Sequence, residues 1–275
     1  MNKYFNDTIN ITNKYIVLAT PLILFSLISN IYLVISASGK LINLLIGIVL
    51  LFLMTSAFLA GWFTMVKDAV NEENDNNPNA IIKNFVSGVG EYFLSTLGGI
   101  FNILIIFSIL SVLTYLVGAK FIGDPAIDPV ALKNAFTNTA LLKDFLTTLN
   151  PEQIQKLAHW NFLMFANLTT FYFIIMFYFP SIFYKSKNPF MAFFISLKDL
   201  FSKKFFKSLA LFFIIEILYF VLTLLITLFG GNIVMHFILT LLHFYFVTAI
   251  SVAIFNYYNK NFVMSQIGQN VDITL

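Results

Sequence analysis

Long runs of apolar residues, separated by short polar segments, dominate the chain. Six runs approach or exceed about 20 residues, the length at which a helix crosses a hydrocarbon core about 30 Å thick. They cover residues 15–36, 41–66, 92–118, 161–184, 209–229 and 233–258. The first is longer than the apolar region of a signal peptide, about 7–15 residues. The pattern predicts an all-α fold, a polytopic membrane helical bundle of about six transmembrane helices in one membrane domain, 1–275.

Two of the polar connections end in amphipathic runs that lead into the next span. Each begins with an Asn-Pro pair, Asn77–Pro78 in one and Asn188–Pro189 in the other. A Pro in this position suits the first turn of a helix. When residues 80–104 are aligned with 192–216, Ala80 matches Ala192, Phe93 matches Phe205 and Leu97 matches Leu209. The chain is therefore predicted to contain an internal repeat of span, amphipathic helix and span. The sequence thus predicts two interfacial amphipathic helices on the cytoplasmic side.

The longest connection, residues 119–160, contains helix signals of its own. Asp128 followed by Pro129 is typical of a helix start, and Asn150, Pro151 and Glu152 form a cap and first turn. Between them, LLKDFLTTL has apolar residues at helical spacing. We therefore expect a small extracytoplasmic helical loop, either as a structured connector or as a ligand-binding cap.

Composition excludes several classes of protein. Hydrophobic residues make up 59% of the chain and charged residues 11%, against about 25% charged in soluble domains. All 16 basic residues are Lys, which indicates an AT-rich bacterial genome. The missing guanidinium groups count against a nucleotide- or phospholipid-processing enzyme, and the absence of Cys excludes disulfides and thiolate metal sites. A net charge of +3 does not indicate nucleic-acid binding.

The lysines are distributed unevenly between the two sets of connections, which predicts the orientation. With a cytoplasmic N-terminus, eleven lysines lie inside and five outside, four of these in the 119–160 loop. Lysines near the ends of spans favour the cytoplasmic side. The chain is therefore predicted to be a multi-pass protein of the cell membrane with both termini cytoplasmic.

The Asn-Pro-led amphipathic segments and the phrase FYFPSIFYKSKNPFMAFFISLKD resemble poorly characterised six-span integral membrane families of bacteria and archaea. These families are similar to the membrane domain that accompanies some glycerophosphodiester phosphodiesterases. The resemblance implies an α-helical integral membrane domain. The soluble phosphodiesterase domain and its metal-binding residues have no counterpart in this sequence, so the resemblance implies no catalytic residue.

One acidic residue, Glu216, lies deep within a predicted span, in FFIIEILYF. A carboxylate in hydrocarbon is unfavourable by about 2.5–3.5 kcal/mol, so such residues usually face the bundle or a wet cavity. Counted from the turn at Gly231, Glu216 and His243 differ in depth by about 4.5 Å, and His236 and Thr240 lie near the face that carries His243. We therefore expect a polar site in which Glu216 contacts His243 or Thr240. It is either an interhelical hydrogen bond or a proton- or cation-coupled transport site; two His and one Glu do not make a metal ligand set.

Two further features are candidate sites. Asn102 is a polar residue within the third span, where it indicates helix packing or the lining of a pathway. The segment between the fourth and fifth spans is strongly basic, and its lysines are Lys198, Lys203, Lys204 and Lys207. Among Phe residues at helical spacing, these lysines favour anchoring at an anionic cytoplasmic leaflet or docking of a cytoplasmic protein.

The sequence contains no signature of a catalytic site or of a cofactor site. It has no HExxH, no G-x-S-x-G and no GxxxxGK motif. It therefore favours a non-catalytic integral membrane protein, a scaffold or accessory subunit of an envelope or transport complex, which contacts the lipid bilayer and a membrane or cytoplasmic protein. The alternative is a small secondary transporter or channel that uses Glu216 with His243.

Overall fold

The protein is helical throughout the ranges that the computed structural model describes, residues 2–37, 41–71, 78–135 and 139–264. Eleven α-helices and no strand occur within these ranges. The helices are α1 Asn2–Lys14, α2 Ala19–Ala37, α3 Leu41–Asn71, α4 Pro78–Phe121, α5 Pro129–Ala135, α6 Thr139–Thr148, α7 Pro151–Ile175, α8 Tyr178–Tyr184, α9 Pro189–Leu200, α10 Phe205–Phe229 and α11 Ile233–Tyr258. A 3₁₀ turn, Ile16–Leu18, precedes α2, and a π-helical turn, Asn259–Val263, follows α11.

Six helical stretches in these ranges are long and apolar enough to cross a membrane. They are Ile16–Val34, Asn43–Asn71, Ile81–Phe121, Pro151–Tyr184, Phe205–Phe229 and Ile233–Val263. Each overlaps one of the six apolar runs in the sequence. The predicted fold class, a polytopic helical bundle, is confirmed.

The chain divides into two compact units. One contains Met1–Asn102 together with Ile174–Leu275, and the other contains Ile103–Phe173. Helix α4 begins in the first unit and ends in the second.

Aromatic side chains form the core of the first unit. Phe63 on α3 packs against Phe255 on α11, with ring centroids 5.2 Å apart, and Tyr92 on α4 stacks on Phe183 of α8 at 4.4 Å. Phe177, just before α8, is fully buried against the rings of α11. Buried residues are dense in 56–70, 177–183 and 252–262, so the core of this unit lies at the C-terminal ends of α3 and α11.

The opposite ends of these helices expose apolar side chains instead. Leu45 and Val49 on α3 are more than half exposed, as is Phe237 on α11. A soluble monomer rarely exposes contiguous apolar patches larger than a few hundred Å². Exposure of this extent on helices of spanning length is expected of a surface that faces acyl chains.

One helix break lies within the fourth span and a second lies between the fourth and fifth spans. Helix α7 ends at Ile175, and Pro180 explains the break because a proline ring clashes with the carbonyl four residues earlier. After α9, residues 201–204 form a turn before α10 begins at Phe205. The amphipathic segment predicted from residue 189 onward is therefore a separate helix, α9.

The other predicted amphipathic segment has a different structure. Residues 89–92, which correspond to the turn at 201–204 in the proposed repeat, are helical, and α4 continues without a break from Pro78 to Phe121. The first predicted interfacial helix is therefore the beginning of a 44-residue helix rather than a separate element. A helix of this length exceeds the roughly 20 residues that a span requires. The internal repeat stays a prediction.

The second unit contains the helical loop. Asp128 accepts a hydrogen bond from Val130 N at 2.9 Å where α5 begins, and Asn150 and Gln153 cap the start of α7 reciprocally. Trp160 donates its indole N–H to Gly123 O at 3.0 Å. The predicted helix starts at Pro129 and Pro151 are confirmed.

Candidate functional site: a polar network around α8, α9 and α11

Glu216 lies in the middle of α10, as the sequence predicts. Its side chain is half-buried, one turn after the buried Phe212. Among the residues that the structure describes, its carboxylate has no hydrogen bond and no ion pair. Its contact with His243 or Thr240 stays a prediction.

The predicted polar stripe on α11 has other partners. The ring of His243 lies 6.0 Å from the ring of Tyr219. Both residues are 12 positions from Gly231 in the sequence, Tyr219 before it and His243 after it. Thr240 donates its hydroxyl to the carbonyl oxygen of His236 at 2.8 Å, and His236 itself is exposed. The α10–α11 hairpin therefore places Tyr219 beside His243.

Asn102 has a well-defined partner. It is buried on α4, and its Nδ2 donates to the Tyr178 hydroxyl oxygen at 3.0 Å. The Tyr178 hydroxyl in turn donates to Pro189 O at 3.1 Å, at the first residue of α9. This chain of hydrogen bonds joins α4, α8 and α9.

The basic segment exposes charged and aromatic side chains together. Lys198, Lys203 and Lys207 are exposed, and so are Phe194 and Phe206. Lys204 differs from the other lysines because its ammonium donates to the carbonyl oxygen of Asn261. Burial, together with the neighbouring charge of Lys207, lowers the pKa of Lys204 from its usual value.

A buried ion pair lies on the opposite face of α9. Asp199 is 7% exposed, and its Oδ2 accepts hydrogen bonds from Lys185 Nζ at 2.9 Å and from the Tyr258 hydroxyl at 2.6 Å. The ammonium of Lys185 also lies 5.4 Å from the centre of the Tyr258 ring. Because a buried charge requires both a partner and hydrogen bonds, these three residues fix α9 against α11.

A second polar junction, centred on Asn71, lies at the end of α3. Asn71 Oδ1 accepts from the Tyr184 hydroxyl at 3.1 Å and from Asn259 Nδ2 at 2.9 Å. It thereby links the C-terminal ends of α3, α8 and α11. All these groups lie where the spans end, so the hydrogen bonds do not have to form deep in the hydrocarbon.

Helix α1, which the hydropathy pattern does not predict, packs along the C-terminal half of α11. Tyr4 donates its hydroxyl to Ala253 O, and Asp7 Oδ2 pairs with Lys260 Nζ at 2.9 Å. Asn256 Nδ2 donates to Thr8 Oγ1 at 3.4 Å. Burial raises the pKa of the Tyr4 phenol, which therefore stays a neutral hydrogen-bond donor.

The chemistry of this network is that of helix attachment. Asp199 is paired with Lys185 and Asp7 with Lys260. The described residues contain no group of three or more His, Asp or Glu that could hold a metal ion. Sequence reasoning missed the network because its partners are distant along the chain: Asp199 and Tyr258 are 59 residues apart. One signal was present, since Asp199 is the only acidic residue in the basic segment 185–207.

Comparisons of the chain with models of protein families, with curated proteins and with solved structures find no match.

Proposed function

We propose that the chain is a non-catalytic integral membrane protein that serves as a scaffold or accessory subunit of an envelope or transport complex. One observation carries the proposal: the buried charges Lys185 and Asp199 are paired with each other and with Tyr258. Groups committed in this way hold helices in place and are not available to a substrate.

The surface of the chain supports the same proposal. The exposed lysines of the basic segment, with Phe194 and Phe206 beside them, suit an anionic leaflet. Long helices with exposed apolar faces suit lateral contact with lipid or with another membrane protein. In this proposal the protein lies in the cell membrane of a bacterium, with both termini and the basic segment cytoplasmic.

The second candidate function is that of a small secondary transporter or channel. Glu216 favours it, because a half-buried carboxylate in a span without a hydrogen bond among the described residues is typical of ion and proton pathways. His243, on the neighbouring helix, supplies an imidazole that can donate or accept a hydrogen bond. In its proton-coupled form, this candidate requires Glu216 to take up and release a proton.

Proton flux into proteoliposomes distinguishes the two functions. The wild-type chain, Glu216→Gln, Glu216→Leu and the exposed control Glu152→Gln are each reconstituted with a pH-sensitive dye inside and a pH gradient applied across the bilayer. The scaffold proposal expects all four to match empty liposomes and to unfold at similar temperatures. If the wild type and Glu152→Gln conduct protons and both Glu216 variants do not, the scaffold proposal is overturned in favour of the transporter.

A further inference from the structure

A cavity of about 400 Å³, lined by both polar and apolar side chains (Ile11, Val70 and Met264 among the latter), lies between α1, the end of α3 and the end of α11. Asp7, Asn10 and Lys14 line it from α1, Asn71 from α3, and Asn256 and Lys260 from the end of α11 and the turn after it. Its volume is within the range of about 300–1,000 Å³ for small-molecule sites. Glu216 and His243 do not line it, so it is distinct from the site predicted within the spans.

The cavity lies where three candidate spans end. Lys14 precedes the span Ile16–Val34 by two residues, Asn71 is the last residue of Asn43–Asn71, and Lys260 is close to the end of Ile233–Val263. Side chains at the ends of spans lie at the level of the lipid headgroups. A ligand of this cavity would therefore have its polar group at that level.

The cavity favours an anion. Asp7 is already neutralised by Lys260, at 2.9 Å. Lys14 is exposed and has no carboxylate partner among the described residues, so the described lining, with Asp7, Lys14 and Lys260, holds one more positive than negative charge. Asn10 adds an amide NH₂ group to the lining.

We propose that this cavity binds a phosphate group, and that the phosphate belongs to the headgroup of an anionic phospholipid. Lys14 and Lys260 would hold its oxygens through charge-assisted hydrogen bonds. Basic pockets between transmembrane helices are suited to such headgroups. The inference does not depend on whether the chain is a scaffold or a transporter.

The test is a titration of the detergent-solubilised full chain with phosphatidylglycerol, followed by native mass spectrometry. Because each lysine supplies a charge-assisted bond, Lys14→Gln and Lys260→Gln are each expected to bind phosphatidylglycerol about tenfold more weakly. The matched control Lys83→Gln removes an exposed lysine that does not line the cavity, and it should bind as the wild type does. Asp7→Asn should bind more tightly, since it frees Lys260 and removes a negative charge.

The gain in Asp7→Asn is decisive, because a variant that merely unfolds does not bind its ligand better. Equal losses in Lys14→Gln and Lys83→Gln, or no gain in Asp7→Asn, would overturn the site. A second arm adds inorganic phosphate as competitor. Failure to displace phosphatidylglycerol at millimolar phosphate supports the lipid as the source, and full displacement at that concentration would overturn that source in favour of a soluble phosphate compound.

Discussion

At the scale of single residues, two ion pairs show how burial determines the contribution of a charged side chain to folding stability. Lys185–Asp199 and Lys260–Asp7 have the same length, 2.9 Å, but the side chains of the first pair are 15% and 10% exposed and those of the second 44% and 36%. An exposed pair contributes about 0–1 kcal/mol to stability. Removing one partner of a buried pair leaves an uncompensated charge and costs about 3–5 kcal/mol.

The two aspartates therefore differ in their expected effects on stability. Asp199→Ala should lower the free energy of unfolding by about 3–5 kcal/mol, whereas Asp7→Ala should lower it by at most about 1 kcal/mol. Chemical unfolding in detergent measures both. The double variant Asp199→Asn with Lys185→Met should recover part of the loss, because it removes both charges. Equal effects of Asp199→Ala and Asp7→Ala would contradict a structural role for the buried pair.

Gly118 on α4 lies against a neighbouring side chain, so a larger residue at this position should lower the stability of the protein. A Cβ atom there would lie 2.2 Å from the Trp160 ring, whereas a Cβ at Gly90 on the same helix would meet nothing within 4 Å. Gly118→Ala should therefore destabilise the second unit by about 1–3 kcal/mol. Gly90→Ala should be neutral or stabilising, since Ala favours helix. Thermal unfolding followed by tryptophan fluorescence compares them, and a Gly118→Ala protein as stable as Gly90→Ala would refute the contact.

At the scale of elements, the sequence predicted those helices and helix starts that depend on residues close together in the chain. The spans follow from apolar runs, and the start of α7 follows from Asn150 and Pro151, because caps satisfy amides within the same segment. Helix α1 was not predicted, since its sequence NKYFNDTINITNK is polar and its partners on α11 are about 250 residues away. That α4 is one unbroken helix was also not predicted. An amphipathic sequence before a span does not indicate whether the helix breaks before the span begins.

Capping of α9 gives a prediction at this scale. Asn188 Oδ1 accepts from Phe190 N at 3.0 Å and from Met191 N at 3.2 Å. Asn188→Ala removes both acceptors and should destabilise the start of the helix by about 1 kcal/mol. Hydrogen exchange at residues 190–194 should then become faster, while Asn188→Ser, which restores a capping oxygen, should exchange as the wild type does. Unchanged exchange in Asn188→Ala would show that tertiary contacts alone hold this end of α9.

At the scale of the whole molecule, the six spans were predictable and the polar network was not. Hydrophobic length is a property of each segment, so composition and run length indicated the helical bundle directly. The sequence interpretation treated the lysines of 185–207 as a signal of membrane topology. It did not reveal the burial of Lys185, because that burial depends on Asp199 and Tyr258 being brought together by folding. The function proposed for the chain depends on this network and on a membrane orientation that the lysines predict.

Cysteine labelling in intact cells tests that membrane architecture most directly, because the native chain has no Cys. Asp144→Cys, in the exposed helix α6, and Asn6→Cys, on an exposed position of α1, are treated with an impermeant thiol reagent before and after permeabilisation. We expect Asp144→Cys to react in intact cells and Asn6→Cys to react only after permeabilisation. Labelling of Asn6→Cys in intact cells, with Asp144→Cys protected, would contradict the orientation, and recovery of the chain in the soluble fraction would contradict the membrane bundle itself.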